Sequence, residues 1–242
     1  MENAAGDEFQ GMNRDIDISA RIRDEILDGQ LPFGTRITIA EMAQRYGVSQ
    51  MPIRTALSQL QGEGLLTVSD TGRTAIRSID RSLISNIFNL RASIEVLLIR
   101  SATPRISSTD LDLLDATEHE LEQLVANQDY PAVQVANRRF HSIIASAADN
   151  PDAVELLNRH FFLLAALWRR LSYGPERFSG VVNDHRFIIR AMRLRDAEAA
   201  GALAHAHVIK AKLAMLECFD REFPADDKRI LKRRRPQKKS DQ

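Results

Sequence analysis

The sequence lacks a charge surplus, since its 33 lysine and arginine residues balance 33 aspartate and glutamate residues. No overall positive field therefore favours nucleic acid, and any case for DNA binding must come from local patterns. A single cysteine, Cys218, excludes an intramolecular disulfide and is typical of a reducing compartment. We therefore expect a cytoplasmic protein.

Long apolar runs are also absent. The longest uninterrupted one, residues 161–168, is far shorter than the roughly 20 residues that a membrane-spanning helix needs. The first residues contain neither the basic nor the apolar region of a signal peptide. We expect no membrane segment. With 44% hydrophobic residues over 242 positions, the chain can form one or two cores without cross-links.

The N-terminal part is patterned as a small helical module. Residues 1–15 are polar and unpatterned, which predicts a disordered leader. Residues 16–79 carry the signals of three short helices followed by two β-rich segments. The T-x-x-E capping box of Thr38 and Glu41 opens the second helix, and Ser49 caps the third.

The two β-rich segments, 65–69 and 74–79, flank a turn at residues 70–73 and predict a β-hairpin. Three helices followed by a hairpin predict a winged helix-turn-helix, whose third helix enters the major groove of DNA. The outward face of that helix has no acidic residue. It carries Gln50, Met51, Arg54, Thr55, Ser58 and Gln59.

The chain from residue 82 to residue 222 shows no strand signals and predicts six amphipathic helices. The sequence therefore predicts a mostly α protein with two domains. Residues 226–242 hold eight lysine and arginine residues and form either a solvated, disordered tail or an arm that contacts phosphate. The breakers between the six helices are Pro104, residues 128–131, Asn150-Pro151, residues 173–175 and Arg195-Asp196.

The segment from Gly29 to Leu66 resembles the signature of the GntR family of bacterial transcription regulators. In that signature a G-x-L-x-x-G turn precedes a V-S-x-x-P-[VI]-R-x-A-L recognition helix and a [DE]-G-L exit into the wing. The corresponding residues here are GQLPFG, VSQMPIRTAL and EGLL. With the outward face and the wing turn, the resemblance gives as candidate DNA-binding residues Ser49, Gln50, Met51, Arg54, Thr55, Gly72 and Arg73.

The chemistry of these residues agrees with that role. Arg54 can pair with a guanine edge or a phosphate, Ser49 suits a phosphate, and Gln50 can read an adenine. The alternatives are a surface salt bridge for Arg54 and ordinary packing for Met51. Many relatives carry arginine at the positions of Gln50 and Ala40, so we expect fewer cationic contacts here and a weak salt dependence of binding.

The C-terminal part is similar to the ligand-sensing FCD domain of the FadR subfamily of GntR regulators, over about residues 82–220. Four separated marks carry this resemblance, in the same order and approximate spacing. They are Leu90-Arg91 with Glu95, residues 137–141, Asp184-His185, and residues 196–200 leading to His207. The resemblance implies a six-helix FCD-type bundle that binds an effector.

The same resemblance implies a metal site formed by Asn137, His141, His185 and His207. Asn137 and His141 share one helical face, and the other two histidines come from other helices. Three imidazoles and one oxygen suit zinc, or nickel or another divalent transition metal, with positions open to water or an effector carboxylate. The alternative for each histidine is an ordinary hydrogen-bonded residue.

Two residues set the expected character of this site. Many relatives have an aspartate where this chain has Asn137, and a neutral amide oxygen is a weaker ligand. We therefore expect looser metal binding and a more positive site that favours an anionic effector. Arg91 either clamps the effector carboxylate or pairs with Glu95 one helical turn away.

The resemblance implies a homodimer that reads a pseudo-palindromic operator. It implies a repressor, the commoner arrangement in the family, with an activator as the alternative. A small carboxylate or sugar acid bound beside the metal would change the spacing of the two DNA-binding domains. A metal-dependent hydrolase or lyase is one alternative, although no H-E-x-x-H motif is present. A helical partner-binding protein is another. Both leave the N-terminal module unexplained, so we expect that the chain is not an enzyme.

Overall fold

A computed structural model describes residues 17–159, 161–171 and 175–223, so the predicted leader and basic tail lie outside the described residues. The described chain is mostly helical, as predicted. Its elements are α1 Ile18–Leu27, α2 Ile39–Tyr46, α3 Gln50–Gly62, β1 Leu66–Val68, β2 Thr74–Ile76, α4 Arg81–Ala102, α5 Ser108–Ala126, α6 Tyr130–Ala147, α7 Pro151–Asn158, α8 Phe161–Arg170, α9 Pro175–Arg193 and α10 Ala197–Glu222.

Helices α1 to α3 and the β1–β2 hairpin form the predicted winged helix-turn-helix. The capping box of α2 is present, since the backbone N–H of Glu41 donates to Oγ1 of Thr38 over 3.2 Å and Glu41 accepts from the backbone N–H of Thr38 over 3.1 Å. Ser49 occupies the N-cap of α3 but makes no side-chain capping hydrogen bond. The strands are antiparallel, with Leu66 opposite Ile76, and each is shorter than predicted.

The position of α3 is fixed by a buried apolar face and an ion pair. Ile53 and Leu60 of α3 are fully buried against Ile22 of α1 and the wing. Arg23 of α1 makes two hydrogen bonds to Glu63, the C-cap of α3, over 2.7 and 3.1 Å. Because a bidentate arginine–carboxylate pair fixes orientation as well as distance, α1 holds the end of α3 in place.

Residues 81–222 form the all-helical domain, with seven helices among the described residues where the sequence predicts six. The prediction treats the stretch after Pro151 as one helix. It is two, because α7 ends at Asn158 and α8 begins at Phe161. The long helices α4 and α10 pack along each other, and α5, α6 and α9 complete the bundle.

The two domains share part of their core. Helix α8 packs against α1. Leu163, Leu164 and Leu167 of α8 are buried in the same apolar cluster as Ile18 and Ile22 of α1. The winged domain is therefore seated directly on the helical domain in this structure.

Helix α4 is long and apolar enough, by length and composition alone, to cross a bilayer. The helix packs against α10, α6 and α7, which bury many of its apolar side chains, whereas Leu90 and Leu97 are 47% and 49% exposed. It also carries a buried glutamate, Glu95.

Candidate functional site

The outward face of α3 presents the predicted DNA-binding residues to solvent. Gln50, Met51, Arg54 and Thr55 are all exposed, and Met51 is 67% exposed. Met51 is therefore not packed into the core. In the part of the chain that the structure describes, no carboxylate forms an ion pair with Arg54, so the salt-bridge alternative is not realised there.

The wing presents the remaining candidates. Gly72 has a φ of +74°, a left-handed conformation that glycine adopts without strain. Its N–H donates to the carbonyl of Ser69 over 2.8 Å, and the N–H of Arg73 donates to the Ser69 hydroxyl over 3.1 Å. These bonds close the turn and leave Gly72 and Arg73 exposed at the tip.

Three histidines from three helices converge inside the helical domain. They are His141 of α6, His185 of α9 and His207 of α10. Their ligand atoms all lie within 4.8 Å of one another, in a group that could hold a metal ion. His185 is completely buried and stacks on Phe140 with ring centroids 3.8 Å apart. The structure thus brings together the histidines that the sequence predicts.

A carboxylate from another helix lies against Nδ1 of each histidine. Glu95 lies 3.3 Å from His141, and Asp184 lies 3.2 Å from His207. Glu118 lies 2.8 Å from His185. A carboxylate on Nδ1 holds that nitrogen protonated and leaves Nε2 as the ligand atom.

Sequence reasoning named Glu95 as a partner of Arg91 and Asp184 as a family mark, but it placed neither beside a histidine. It missed Glu118, although that residue has a recognisable signal. Glu118 shares an apolar helical face with Leu114 and Leu121, and all three are buried. A charged residue on an otherwise buried stripe needs a polar partner, and here that partner is His185.

Within the described part of the chain, four buried polar atoms in this cluster have no hydrogen-bond partner. Three belong to the predicted metal ligands, namely Nε2 of His141, Nε2 of His185 and Oδ1 of Asn137, and the fourth is Oε1 of Glu118. An unsatisfied buried polar atom costs about 1–3 kcal/mol, and several of them together require an explanation. A metal ion bound to the three ligand atoms would satisfy those three, so the residues present fit the implied metal.

The electrostatics of the cluster suit metal ligands. Burial lowers the pKa of His207 to about 4, against the opposing effect of Asp184. Burial likewise holds the pKa of His185 well below its usual value, with His207 and His141 adding repulsion. Both imidazoles are therefore neutral at neutral pH, which is the form that coordinates metals.

The carboxylates behave differently from one another. Burial raises the pKa of Glu118 to about 8, with Arg186 opposing the shift. Burial also acts to raise the pKa of Glu95, but the charges of Arg91 and His141 outweigh it and keep that pKa below its usual range. Glu95 is therefore ionised at neutral pH, whereas Glu118 is largely protonated when no metal is bound.

Two adjoining cavities open beside the histidines, with empty volumes of about 480 and 670 Å³ that include open solvent. Both are lined by Arg91, Asn137, His141 and Trp168. Nε of Arg91 donates to Oε1 of Glu95 over 2.5 Å, so Arg91 forms the ion pair that was one of its two predicted roles. Its side chain nevertheless lines both cavities. Arg177, which sequence reasoning missed, lines the smaller one.

Comparison with known proteins places these features in a family. Residues 86–210 match the FCD domain, and residues 16–76 match the gntR family of bacterial regulatory proteins. The FCD match alone spans more than half of the 242 residues.

Individual relatives are regulators. The chain is 27% identical to the uncharacterized HTH-type transcriptional regulator YdhC of Bacillus subtilis, over 77% of this chain and 84% of that protein. It is 25% identical to the HTH-type transcriptional repressor GlaR of Escherichia coli, over 78% and 89%. It is 21% identical to the gluconate operon transcriptional repressor of Bacillus licheniformis, over 76% and 77%.

Among solved structures, E. coli McbR/YncC superposes with a TM-score of 0.65 at 19% identity, over 83% of this chain and 95% of that one. That likeness shows a shared fold. The domains and relatives are those of regulators, which confirms that the chain is not an enzyme and makes the hydrolase or lyase alternative wrong. The chain belongs to the GntR family of bacterial transcription regulators and carries an FCD domain at its C-terminal side.

Proposed function

We propose that this regulator is a cytoplasmic, homodimeric repressor of the FadR subfamily that binds a pseudo-palindromic operator. A small organic acid bound beside a divalent metal ion in the helical domain controls that binding. The observation that carries the proposal is the convergence of three histidines and the unsatisfied Oδ1 of Asn137 beside an open cavity. Relatives named as repressors support the sign of regulation.

The DNA contacts divide by chemistry. Arg54 and Gln50, exposed on α3, would read base edges in the major groove, while Met51 and Thr55 would contact the edges of neighbouring bases. Ser49 makes no capping bond, which leaves its hydroxyl for a phosphate at the start of the helix. Gly72 and Arg73, at the wing tip, would contact the backbone or the minor groove.

Zinc is the metal that the donor set favours, with nickel as the nearest rival. Zinc prefers imidazole nitrogens in a tetrahedral site, and a bound zinc would act as a Lewis acid that attracts an anionic ligand. His141, His185 and His207 would supply the nitrogens, and Asn137 would supply a neutral oxygen. Because the amide carries no charge, the site keeps its positive charge for an effector.

The effector we propose is a small carboxylate or a sugar acid. The shared lining of the two cavities combines a cation, an amide and an aromatic ring, through Arg91, Asn137 and Trp168. Repressors of a gluconate operon and of a galactonate operon are among the relatives, which adds sugar acids to the candidates. A carboxylate would complete the metal coordination while hydroxyl groups face the polar wall of the larger cavity.

Metal analysis and thermal shift test the proposal together. We expect one zinc ion per chain in protein purified without chelator, and a loss of that zinc in His141→Ala and His185→Ala. We also expect a rise in the unfolding temperature with one of a panel of sugar acids, hydroxy acids and dicarboxylates, only in the metal-loaded protein. His119→Ala, an exposed histidine of α5, is the matched control. No bound metal and no anion response would contradict the proposed site.

A further inference from the structure

We infer that helices α7 and α8 transmit the state of the histidine centre to the winged domain. The first part of the route runs from His141 through Glu95 and Arg91 to Trp168 of α8. The second part runs from α7 and α8 to the ends of α1 and α3. The inference rests on the proposed function, since it concerns how that same metal site regulates DNA binding.

The first links are short and shielded from water. Nδ1 of His141 lies 3.3 Å from Oε2 of Glu95, and Oε1 of Glu95 accepts from Nε of Arg91 over 2.5 Å. The Glu95 side chain is 7% exposed, and those of His141 and Arg91 are 13% and 16% exposed. A metal on Nε2 of His141 would fix its ring, and through Glu95 it would fix Arg91.

The next link connects helix α4 to helix α8. Cζ of Arg91 lies over the ring of Trp168, 5.7 Å from its centroid, within the distance at which a cation is attracted to an aromatic face. Trp168 also lines both cavities, so a ligand in either one would lie beside it. The position of α8 is thereby coupled to the occupancy of the site.

The last links join α7 and α8 to the DNA-binding domain. Nη2 of Arg169, the residue after Trp168, lies 2.8 Å from Oδ1 of Asp28, which is the C-cap of α1. Nε of Arg159, at the end of α7, donates over 3.2 Å to the carbonyl of Gly62, the last residue of α3. Arg169 thus holds the end of α1, the helix that supports α3. Arg159 holds the end of α3 itself.

The mechanical consequence follows from packing and from one ion pair. Helix α8 buries its leucines in the core that it shares with α1, and such apolar contacts are not directional. We therefore assign to the Arg169–Asp28 ion pair the role of fixing how α1 follows a displacement of α8. Because α1 holds the end of α3 through Arg23 and Glu63, the recognition helix moves with it. In a dimer, the same movement in both subunits changes the distance between the two recognition helices.

The experiment measures the coupling between zinc and DNA. Operator affinity is determined by fluorescence anisotropy on the intergenic DNA upstream of the protein's own gene, with zinc-loaded and chelator-treated protein. The ratio of the two dissociation constants is the coupling factor. We expect a factor of about fivefold or more, in either direction, for the wild type, and about twofold or less for Arg169→Glu, which sets two carboxylates against each other.

Three further variants separate transmission from damage to the fold. Arg169→Lys keeps the charge pair, and the reciprocal exchange Asp28→Arg with Arg169→Glu restores it in the opposite sense. Both are expected to recover most of the wild-type factor. Arg193→Ala, which removes an equally exposed ion pair with Asp115 inside the helical domain, is expected to leave the factor unchanged.

The outcomes are distinguishable from a failure of the proposed function. Zinc binding is measured by calorimetry and DNA binding by anisotropy in each state, and absence of either in the wild type overturns the function and the inference together. If both occur with a coupling factor of one, the inference alone is wrong. A full factor in Arg169→Glu would likewise exclude this route while leaving metal and DNA binding intact.

Discussion

Replacing Glu118 with glutamine is expected to weaken metal binding without unfolding the protein. Its Oε2 lies 2.8 Å from Nδ1 of His185, and both side chains are buried. As a carboxylate, Glu118 would hold the ring with Nε2 toward the metal and strengthen it as a ligand. Loss of such a partner changes metal affinity by about 10- to 100-fold, or about 1.4–2.7 kcal/mol of binding free energy.

The metal-free protein should tolerate the same substitution. Burial raises the pKa of Glu118 to about 8, so its carboxyl group is mostly protonated at neutral pH when no metal is bound. Glutamine then replaces a neutral group of the same size. We expect the free energy of unfolding of the metal-free variant to stay within about 1.5 kcal/mol of the wild type.

Two measurements on one set of proteins check this reasoning. Zinc affinity is obtained by competition with a chromogenic chelator, and stability by urea unfolding of chelator-treated protein. Glu120→Gln is the control, because Glu120 lies on the same helix but forms an ion pair with Arg139 at the surface. A zinc affinity of Glu118→Gln within twofold of the wild type would refute the role assigned to this carboxylate.

Three other predictions follow from the same structure. The Asn137→Asp variant should bind zinc about tenfold more tightly than the wild type, because it adds a charged ligand, and anions should raise its unfolding temperature less. Unchanged zinc affinity would argue against Asn137 as a ligand. Phe140→Ala should lower the free energy of unfolding, measured with urea, by about 3–5 kcal/mol. The reason is that Phe140 is fully buried and stacks on His185. A loss below about 1 kcal/mol would contradict its role as a core residue. Because Gln50 and Ala40 are neutral, operator affinity should fall with salt less steeply than for a protein with about ten phosphate contacts. An equally steep slope of log affinity against log salt concentration in anisotropy titrations would contradict this prediction.

The sequence predicted the elements whose signals are local. The capping box at Thr38 and Glu41 and the N-cap at Ser49 begin helices in the structure as expected. The resemblance to a known family then placed His141, His185 and His207 in one site, and the structure brings them together. Local hydrogen bonding and periodicity carry this information because they act within one or two helical turns.

What the sequence did not reveal depends on contacts between distant segments. One predicted helix is divided into α7 and α8 in the structure, and α8 packs against α1. The spacing of apolar residues along the sequence does not reveal such a contact between distant helices. The partner of Glu118 is His185, 67 residues away, and Arg177 reaches the cavity only because α9 begins there. Such contacts are set by the assembled bundle.

Operator binding by Arg54→Ala tests the central claim most directly, namely that the exposed face of α3 reads DNA. Because Arg54 is exposed and forms no ion pair within the described chain, the variant should fold normally, with an unfolding temperature like that of Gln61→Ala at the other end of the helix. We predict that its affinity for the upstream intergenic DNA falls by about 1–3 kcal/mol, as for loss of a base contact. Undiminished affinity in a correctly folded Arg54→Ala would contradict the account.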